Sequence, residues 1–392
     1  MKHWPTKLLG DLVLPTEQRD PKENPTEEFS YVDIAGVDNA TKAIVTTKRI
    51  VGADAPSRAR KVIRAGDIIV STVRPNLNAV ALVPNSLDGQ ICSTGFSVLR
   101  PSPKVMSGYL FAFTRSPLFI DYLVARTTGA NYPAVNDGEV KDVPLTVPPL
   151  AEQERIVKLL DEADALRKLR AQADRRTAAL IPALFHQMFG NTLANDKGWE
   201  MSELENLSLN ITDGKHGDCR PAPNSGYYFV SVKDIVDGRI DYSKAREIMY
   251  EDFVEVHKRT KLEEGDVLIT NSGTIGRMAV IDSDEKVANT TFQKSVAIIK
   301  PTKDCIDPNF LRFALDTCVK HLTSASSGSA QKNLLLGQLR RFKICVPPLA
   351  QQKQFAERVT EIRALAAAQA ASRQRLDNLF QSLLHQAFNG EL

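Results

Sequence analysis

The sequence predicts an α+β protein: two tandem mixed domains, each followed by a long α-helix, the two helices pairing as an antiparallel coiled coil about a pseudo-two-fold axis. Three observations predict it. The chain repeats itself at an offset of 199 residues (346 − 147), each copy opens with short β-type runs broken by turns, and each closes in a glycine-free stretch behind a diproline.

An internal repeat determines architecture before any element is assigned. "VPPLAEQERIV" at 147–157 returns as "VPPLAQQKQFA" at 346–356, and "RAGDIIVST" at 64–72 returns as "EEGDVLITN" at 263–271. "TTGANYPAV" (127–135) lies over "SSGSAQKNL" (326–334), and "LFHQMFG" (184–190) over "LLHQAFN" (383–389). Even the basic clusters "RARK" (58–61) and "HKRT" (257–260) coincide. Near the start of each copy the offset slips to 195, in "WPTKLLGDL" (4–12) against "WEMSELENL" (199–207), which fits small loop differences between duplicated domains. The expected boundaries are 1–148 and 191–347 for the mixed domains, and 149–190 and 348–392 for the helices.

Within each mixed domain, runs such as "DIIVST", "AVALVP", "DVLIT" and "SVAIIKP" between Gly, Pro and Asn turns read as strands, and residues 106–126 and 308–325 read as helices. Pro148-Pro149 and Pro347-Pro348 end the preceding strands. Beyond them Phe355, Val359, Ile362, Ala366, Gln369, Arg373, Leu376, Phe380, Leu383 and Ala387 alternate in steps of four and three. That is a heptad seam, apolar at both ends and polar in the middle. Ile156, Leu160, Ala163, Arg167, Arg170, Asp174, Thr177, Ile181, Leu184 and Met188 repeat it. An ordinary core-facing helix would also carry a stripe, but a duplicated polar centre favours two helices burying their seams together. At about 1.5 Å per residue each helix is roughly 50 Å long, which makes it a spacer. Pro182 is the one internal breaker and is expected to kink the first helix near its end.

Composition narrows the function. With 43% hydrophobic and 25% charged residues the chain is an ordinary folded protein, and a net charge of +3 means that a polyanion partner has to be held by local patches. No apolar run is long enough to cross a membrane and the N-terminus lacks a signal-peptide stretch, so a cytoplasmic location is expected. The five cysteines lack any C-x-x-C pair, and the His216/Cys219 spacing has no second ligand pair. Reduced thiols and no metal are expected.

Catalytic motifs are missing. There is no G-x-x-x-x-G-K-[ST] phosphate loop, no N-P-P-[YF] or D-P-P-[YF] base-flipping segment and no glycine-rich methyl-donor fingerprint. "SGTIG" (272–276) lies between two strands and reads as a turn, while the Glu139-x-Lys141 order of some nucleases is not kept in the second copy. His186 and His385 read as packing or cap residues at the helix ends.

What remains is recognition chemistry at equivalent loops. Arg74, Asn76 and Asn78 follow the first "GD" strand, and Asn271, Ser272, Thr274 and Arg277 follow the second. Arg and Asn offer the donor and acceptor pairs that read base edges. Arg58, Arg60, Lys61 and Arg64, and His257, Lys258, Arg259 and Lys261, are candidates to neutralise phosphates. Asn131 and Tyr132, Lys215 and His216, and Ser329, Gln331 and Lys332 complete the candidate set. For any one of these a solvated surface role competes with a nucleic-acid contact.

A mixed domain with a "GD" strand and a "TTG" or "SSG" segment, closed by "PPLAEQ" and a long helix and then repeated, resembles the specificity subunit of type I restriction-modification enzymes. The resemblance covers essentially the whole chain, and "VPPLAEQERIV", "VPPLAQQKQFA" and "LLHQAFNGEL" (383–392) carry it. Gln352 reads as the one departure, an acid-to-amide change at a helix start. The resemblance implies two target-recognition domains that each read half of a bipartite, asymmetric DNA site, and a helical ruler that docks two methyltransferase subunits, with restriction/translocase subunits joining. It also implies that this chain binds no cofactor, S-adenosylmethionine, ATP and magnesium belonging to the partners. Two rival readings are a self-contained nuclease or methyltransferase with fused readers, and a coiled-coil scaffold without DNA.

Overall fold

The computed structural model describes residues 4–129, 132–325 and 333–392, without the side chains of 320–325. The chain divides into two compact units, residues 1–173 with 369–392, and residues 174–368. The sequence division falls where the helices begin, whereas packing divides the chain inside them. Each unit is a mixed domain plus half of each long helix, because the helix ends are built into the domain cores.

In the first unit two four-stranded sheets carry the domain. Lys48–Val51, Glu28–Val32, Ile91–Ser93 and Ala59–Val62 form one, and Val13–Leu14, Phe96–Pro101, Ile68–Ser71 and Val80–Leu82 the other. Strand Ile68–Ser71 is buried along its whole length, since side chains alternate between its faces and both faces are covered. Ile69 joins Val32, Ile63, Cys92 and Phe96 in the core between the β layers. Ile68 and Val70 point the other way, into a core shared with the helices α1 (Ser107–Thr114), α2 (Pro117–Val124), α3 (Asp137–Lys141) and α4 (Leu150–Phe189).

The second unit repeats this plan. Ser208–Asp213, Val296–Pro301, Val267–Thr270 and Met278–Val280 form its four-stranded sheet, and Arg246–Glu247, Tyr228–Val230 and Thr290–Phe292 a three-stranded one. Leu268 faces the β core, while Val267 and Ile269 face the helical one. The difference between the units is α5 (Tyr250–Thr260), which stands where the repeat places a strand and a turn in the first unit. The coinciding basic clusters are therefore not equivalent: Lys61 is on a strand and Arg259 on a helix. Helices α6 (Pro308–Ala325), α7 (Leu336–Arg340) and α8 (Leu349–Asn389) complete the described elements. The expected helix over 106–126 is two helices, because Ser116 caps a new start by accepting from Phe119 N–H and Pro117 takes the first helical position.

The "GD" pair has the same structural task in both units. Gly66 and Gly265 turn the chain with φ of +84° and +89°, a conformation that favours glycine. Asp67 then accepts the Arg64 N–H at 2.8 Å and a two-pronged bond from Arg100 at 3.0 Å. Asp266 accepts the Glu263 N–H at 2.8 Å and Lys300 Nζ at 2.7 Å. Burial pushes the Asp266 carboxyl up, and the Lys300 bond draws it back.

The two long helices pair antiparallel within each unit. In the first, Ile156, Leu160 and Ala163 of α4 share a core with Phe380, Leu384, Ala387 and Phe388 of α8, and Arg167 Nε donates to Asp377 at 2.7 Å. In the second, Phe185 and Phe189 of α4 stand 5.4 and 5.5 Å from Phe355 of α8. The seam is wider than a strict heptad. Ile156, Leu160, Ala163, Phe355, Val359 and Phe380 are buried, but Ile181, Leu184, Ile362, Leu376 and Leu383 are only half-buried. Phe185, Phe189, Leu384 and Phe388 take their share of the burial, because these helix ends face a domain core as well as the other helix. Helix α4 runs through Pro182 as one helix to Phe189.

The repeated "PPLA" segments are locked by glutamine. Gln153 is fully buried; its Oε1 accepts the Met106 N–H at 2.9 Å, and its Nε2 donates to Pro148 O at 2.9 Å and Lys104 O at 3.1 Å. Gln352 does the same with Asp307 N–H at 2.8 Å and Pro347 O at 2.7 Å. Gln352 is thus the counterpart of Gln153 rather than a departure. The acid-to-amide change is the exposed Gln351 in the place of Glu152.

Two outcomes follow from these contacts. Gln153→Ala strands a buried N–H and two carbonyls and is expected to destabilise the chain by about 1–3 kcal/mol in denaturant unfolding, whereas Gln351→Glu should stay within roughly 0.5 kcal/mol. Arg220 holds the Asp252 carboxyl of α5 down to about 2 through side-chain and backbone bonds. A depressed carboxylate contributes stability above its unfolded value that is lost as pH falls through the folded one. The stability gap between the native chain and Asp252→Asn should therefore be present at pH 6 and close between about pH 4 and 2.

Candidate nucleic-acid interface

Each unit gathers its recognition loops at one edge of its sheets. In the first, Thr72 N–H and Oγ1 both donate to Gly95 O, Val135 N–H donates to Thr72 O, and Arg74 N–H donates to Pro133 O at 2.7 Å. Thr94 N–H donates to Arg58 O. Loops from four separate stretches of sequence are thereby knitted together by backbone, leaving their side chains outward. Arg74 and Asn76 are exposed, and the Arg74 guanidinium lies over the Tyr132 ring at 5.2 Å, with Tyr132 70% exposed. A cation stacked on an exposed phenol is pre-arranged for a phosphate or a base edge.

The second unit builds the same edge from other side chains. Asn271 N–H donates to Ser295 O, Leu334 N–H donates to Asn271 O, Lys215 N–H donates to Phe292 O, and Lys294 N–H donates to Lys215 O. Ser272 Oγ meets Asn333 Oδ1 at 2.8 Å. His216, Thr274, Arg277 and Lys294 are exposed around it. The "SGTIG" turn joins two antiparallel strands, with no helix behind it to make a phosphate loop.

Several predicted contacts are structural instead. Lys61 is buried, its ammonium donating to Asp137 at 2.6 Å and Phe96 O at 2.7 Å, so it has nothing to offer a phosphate. Arg60 pairs with Asp20 and Arg64 with Glu17, while Arg58 has no acidic partner among the described residues. Asn78 and Asn271 are buried, and Asn78 Nδ2 donates to Thr114 O at 2.8 Å. Lys215 is tied to Glu255, and Arg259 Nη2 donates to Gly214 O, both fixing α5 to the 214–218 loop. His257 stacks on Phe253 at 4.6 Å, and burial lowers its pKa. Lys258 and Lys261 stay exposed. Asn131, Ser329, Gln331 and Lys332 lie outside the described residues.

Thr94 in the first unit, and Gln293, Lys294, Ser295 and Asn333 in the second, belong to these edges and escape a reading of single loops. The repeat holds a signal for them, since "STGFSV" (93–98) and "QKSVAI" (293–298) precede the strands that pair with the two "GD" strands.

No catalytic grouping stands beside these loops. Glu139 closes the capping box of α3 by accepting the Asn136 N–H at 2.7 Å, so the Glu-x-Lys order is used in a helix cap. All five cysteines are free thiols. Among the described residues no three His, Cys, Asp or Glu side chains are grouped to hold a metal, and no helix is long and apolar enough to cross a membrane.

Comparison with known proteins agrees with this arrangement. The family model for the type I restriction modification DNA specificity domain matches residues 1–174 and again 197–376. The chain is 29% identical over 321 residues to the EcoBI specificity subunit of Escherichia coli, covering 72% of this chain and 65% of that one, just under two thirds of its length. It is 26% identical over 343 residues to the EcoKI specificity subunit of Escherichia coli K12, covering 77% and 69%. A solved chain from a structural study of complex assembly and conformational transition in the type I R-M system superposes with a TM-score of 0.68 at 31% identity, over 99% of this chain and 98% of that one. With two matching domains in tandem and its long helices paired, the chain belongs to the type I restriction modification DNA specificity family.

Proposed function

We propose that this chain is the non-catalytic specificity and scaffold subunit of a type I restriction-modification complex, reading an asymmetric, bipartite site on double-stranded DNA. The observation that carries this is one frame built twice with different edges. Both units share the "GD" turn and the buried glutamine, yet one presents Arg74 stacked on Tyr132 and the other α5 with a Ser272–Asn333 pair. Two unlike readers on one chain require two unlike half-sites. Binding the second half is then an intramolecular event, so two modest affinities combine into a tight one. Methyl transfer and cleavage belong to partner subunits, which supply the sites for S-adenosylmethionine, ATP and magnesium.

Four exposed leucines support docking of two identical methyltransferase subunits. Leu166 and Leu180 of α4 recur at an offset of 199 as Leu365 and Leu379 of α8, each 45–50% exposed. Each directly precedes a seam position, so each lies on the same flank of its helix. In an antiparallel pair equal flanks fall on the same side. Leu166 and Leu379 therefore flank one patch in the first unit, and Leu180 and Leu365 an equivalent patch in the second. Equivalent patches fit equal partners.

Co-expression with the methyltransferase followed by mapping of methylated adenines should return one interrupted motif. Exchanging residues 1–148 for another recognition domain should alter one half of it, and a change in both halves counts against independent readers. Leu166→Glu with Leu379→Glu should reduce the bound methyltransferase from two copies to one in native mass spectrometry, without changing the melting temperature of the isolated chain. Adding Leu180→Glu and Leu365→Glu should remove the second copy.

A further inference from the structure

The second unit contains a cleft of about 560 Å³ between the hairpin of Ile235–Val236 and Arg239–Ile240, the Gly276–Arg277 step and α6. It opens directly beside the 271–276 loop, since Arg277 is the next residue. Three guanidinium groups surround it. Arg312 of α6 lies against the Phe313 ring at 4.8 Å and so close to Gly238 that a Cβ there would come within 3.0 Å of its Nη2. Its Nε is buried without a hydrogen-bond partner. Arg277 Nη1 donates to Val232 O at 3.1 Å, and Arg363 of α8 Nη1 donates to Asn309 Oδ1 at 3.3 Å. Arg312 and Arg363 are near enough to repel, and burial together with that repulsion lowers the pKa of Arg312.

The carboxylates around the cleft do not cancel these charges. Asp237 and Asp316 line it but form no ion pair with Arg277, Arg312 or Arg363 among the described residues, and Asp282 is paired with Arg239 at 3.7 Å. The first unit provides an internal control. Position 363 less the offset of 199 is 164, and Asp164 accepts from Arg115 at 3.1 Å, Arg167 at 3.1 Å and Lys168 at 2.9 Å. A carboxylate closes the cationic cluster there, whereas an arginine occupies its place in the second unit. A buried guanidinium with an unused donor and no counter-charge is costly unless an anion completes it.

We infer that this cleft is a phosphate clamp, in which Arg277, Arg312 and Arg363 hold one backbone phosphodiester of the duplex next to the bases met by the 271–276 loop. The inference rests on the DNA reading above. It makes the two halves of the site unequal, with the half read by the second unit more sensitive to salt.

The test uses the complex of the chain with its methyltransferases and a fluorescent duplex carrying the mapped site, titrated over a range of salt concentrations. One lost phosphate contact lowers the slope of log affinity against log salt by about 0.9. Arg312→Gln should weaken binding roughly 5–20-fold at low salt with about that loss of slope, and leave the methylated motif unchanged. Arg363→Asp, which installs the closed cluster of the first unit, should do the same with an unchanged melting temperature, and the exposed Arg277→Gln provides a variant that does not disturb packing. Native affinity and slope in all three variants would overturn the clamp while leaving the DNA reading intact. Failure of the unaltered complex to bind the duplex would overturn both. A melting temperature raised by inorganic phosphate at constant ionic strength in the native chain but not in Arg312→Gln, with unchanged DNA slopes, would assign the cleft to a free anion and overturn the proposal.

Discussion

Everything in this molecule hangs on two buried amides. Gln153 and Gln352 sit at the starts of α4 and α8 and bind backbone on both sides of the junction, satisfying the loop before α1 or α6 and the proline carbonyl behind the helix. A buried polar group with all its bonds made is specific in a way an apolar contact is not, because any rotation of the helix start leaves donors and acceptors stranded. The angle at which each long helix leaves its domain is therefore fixed by hydrogen bonds, with the aromatic cores around Phe388 and Phe355 filling in behind. A molecule that measures a divided site needs that angle to be stiff.

With the frame fixed, variation is confined to the loops. Backbone bonds hold the loop edges in place whatever the side chains are, so one unit can display an arginine on a tyrosine and the other serine, threonine and lysine without a change of fold. The near-neutral charge of +3 fits this economy. Most basic residues near the edges, Arg60, Lys61, Arg64 and Lys215 among them, are paired with acids, which leaves a few unpaired cations to meet DNA and the remaining grip to partner subunits.

Sequence revealed the architecture because the repeat places every element twice. "GD" was legible as a turn, and "PPLA" as a strand end and helix start. What each polar residue does was less legible, because its partner is distant in sequence. Lys61 resembles a phosphate ligand until Asp137, 76 residues away, is found against it. Gln352 resembles a lost acid until its bonds to Asp307 and Pro347 show it to be the twin of Gln153. The heptad stripe correctly located Ile156, Leu160 and Val359, and it missed Phe185 and Phe388 because a helix end that faces two neighbours buries more than a seam.

The sharing of the helices has a consequence for synthesis. The core of the first unit joins Tyr109 and Phe113 to Phe380, Leu384 and Phe388, residues separated by most of the chain. While the polypeptide emerges in order, the first domain can form its sheets but not close its helical face until nearly the last residues have left the ribosome. During that interval apolar surface worth several kcal/mol is open to the solvent and to chaperones. The first domain to be made is among the last to be finished.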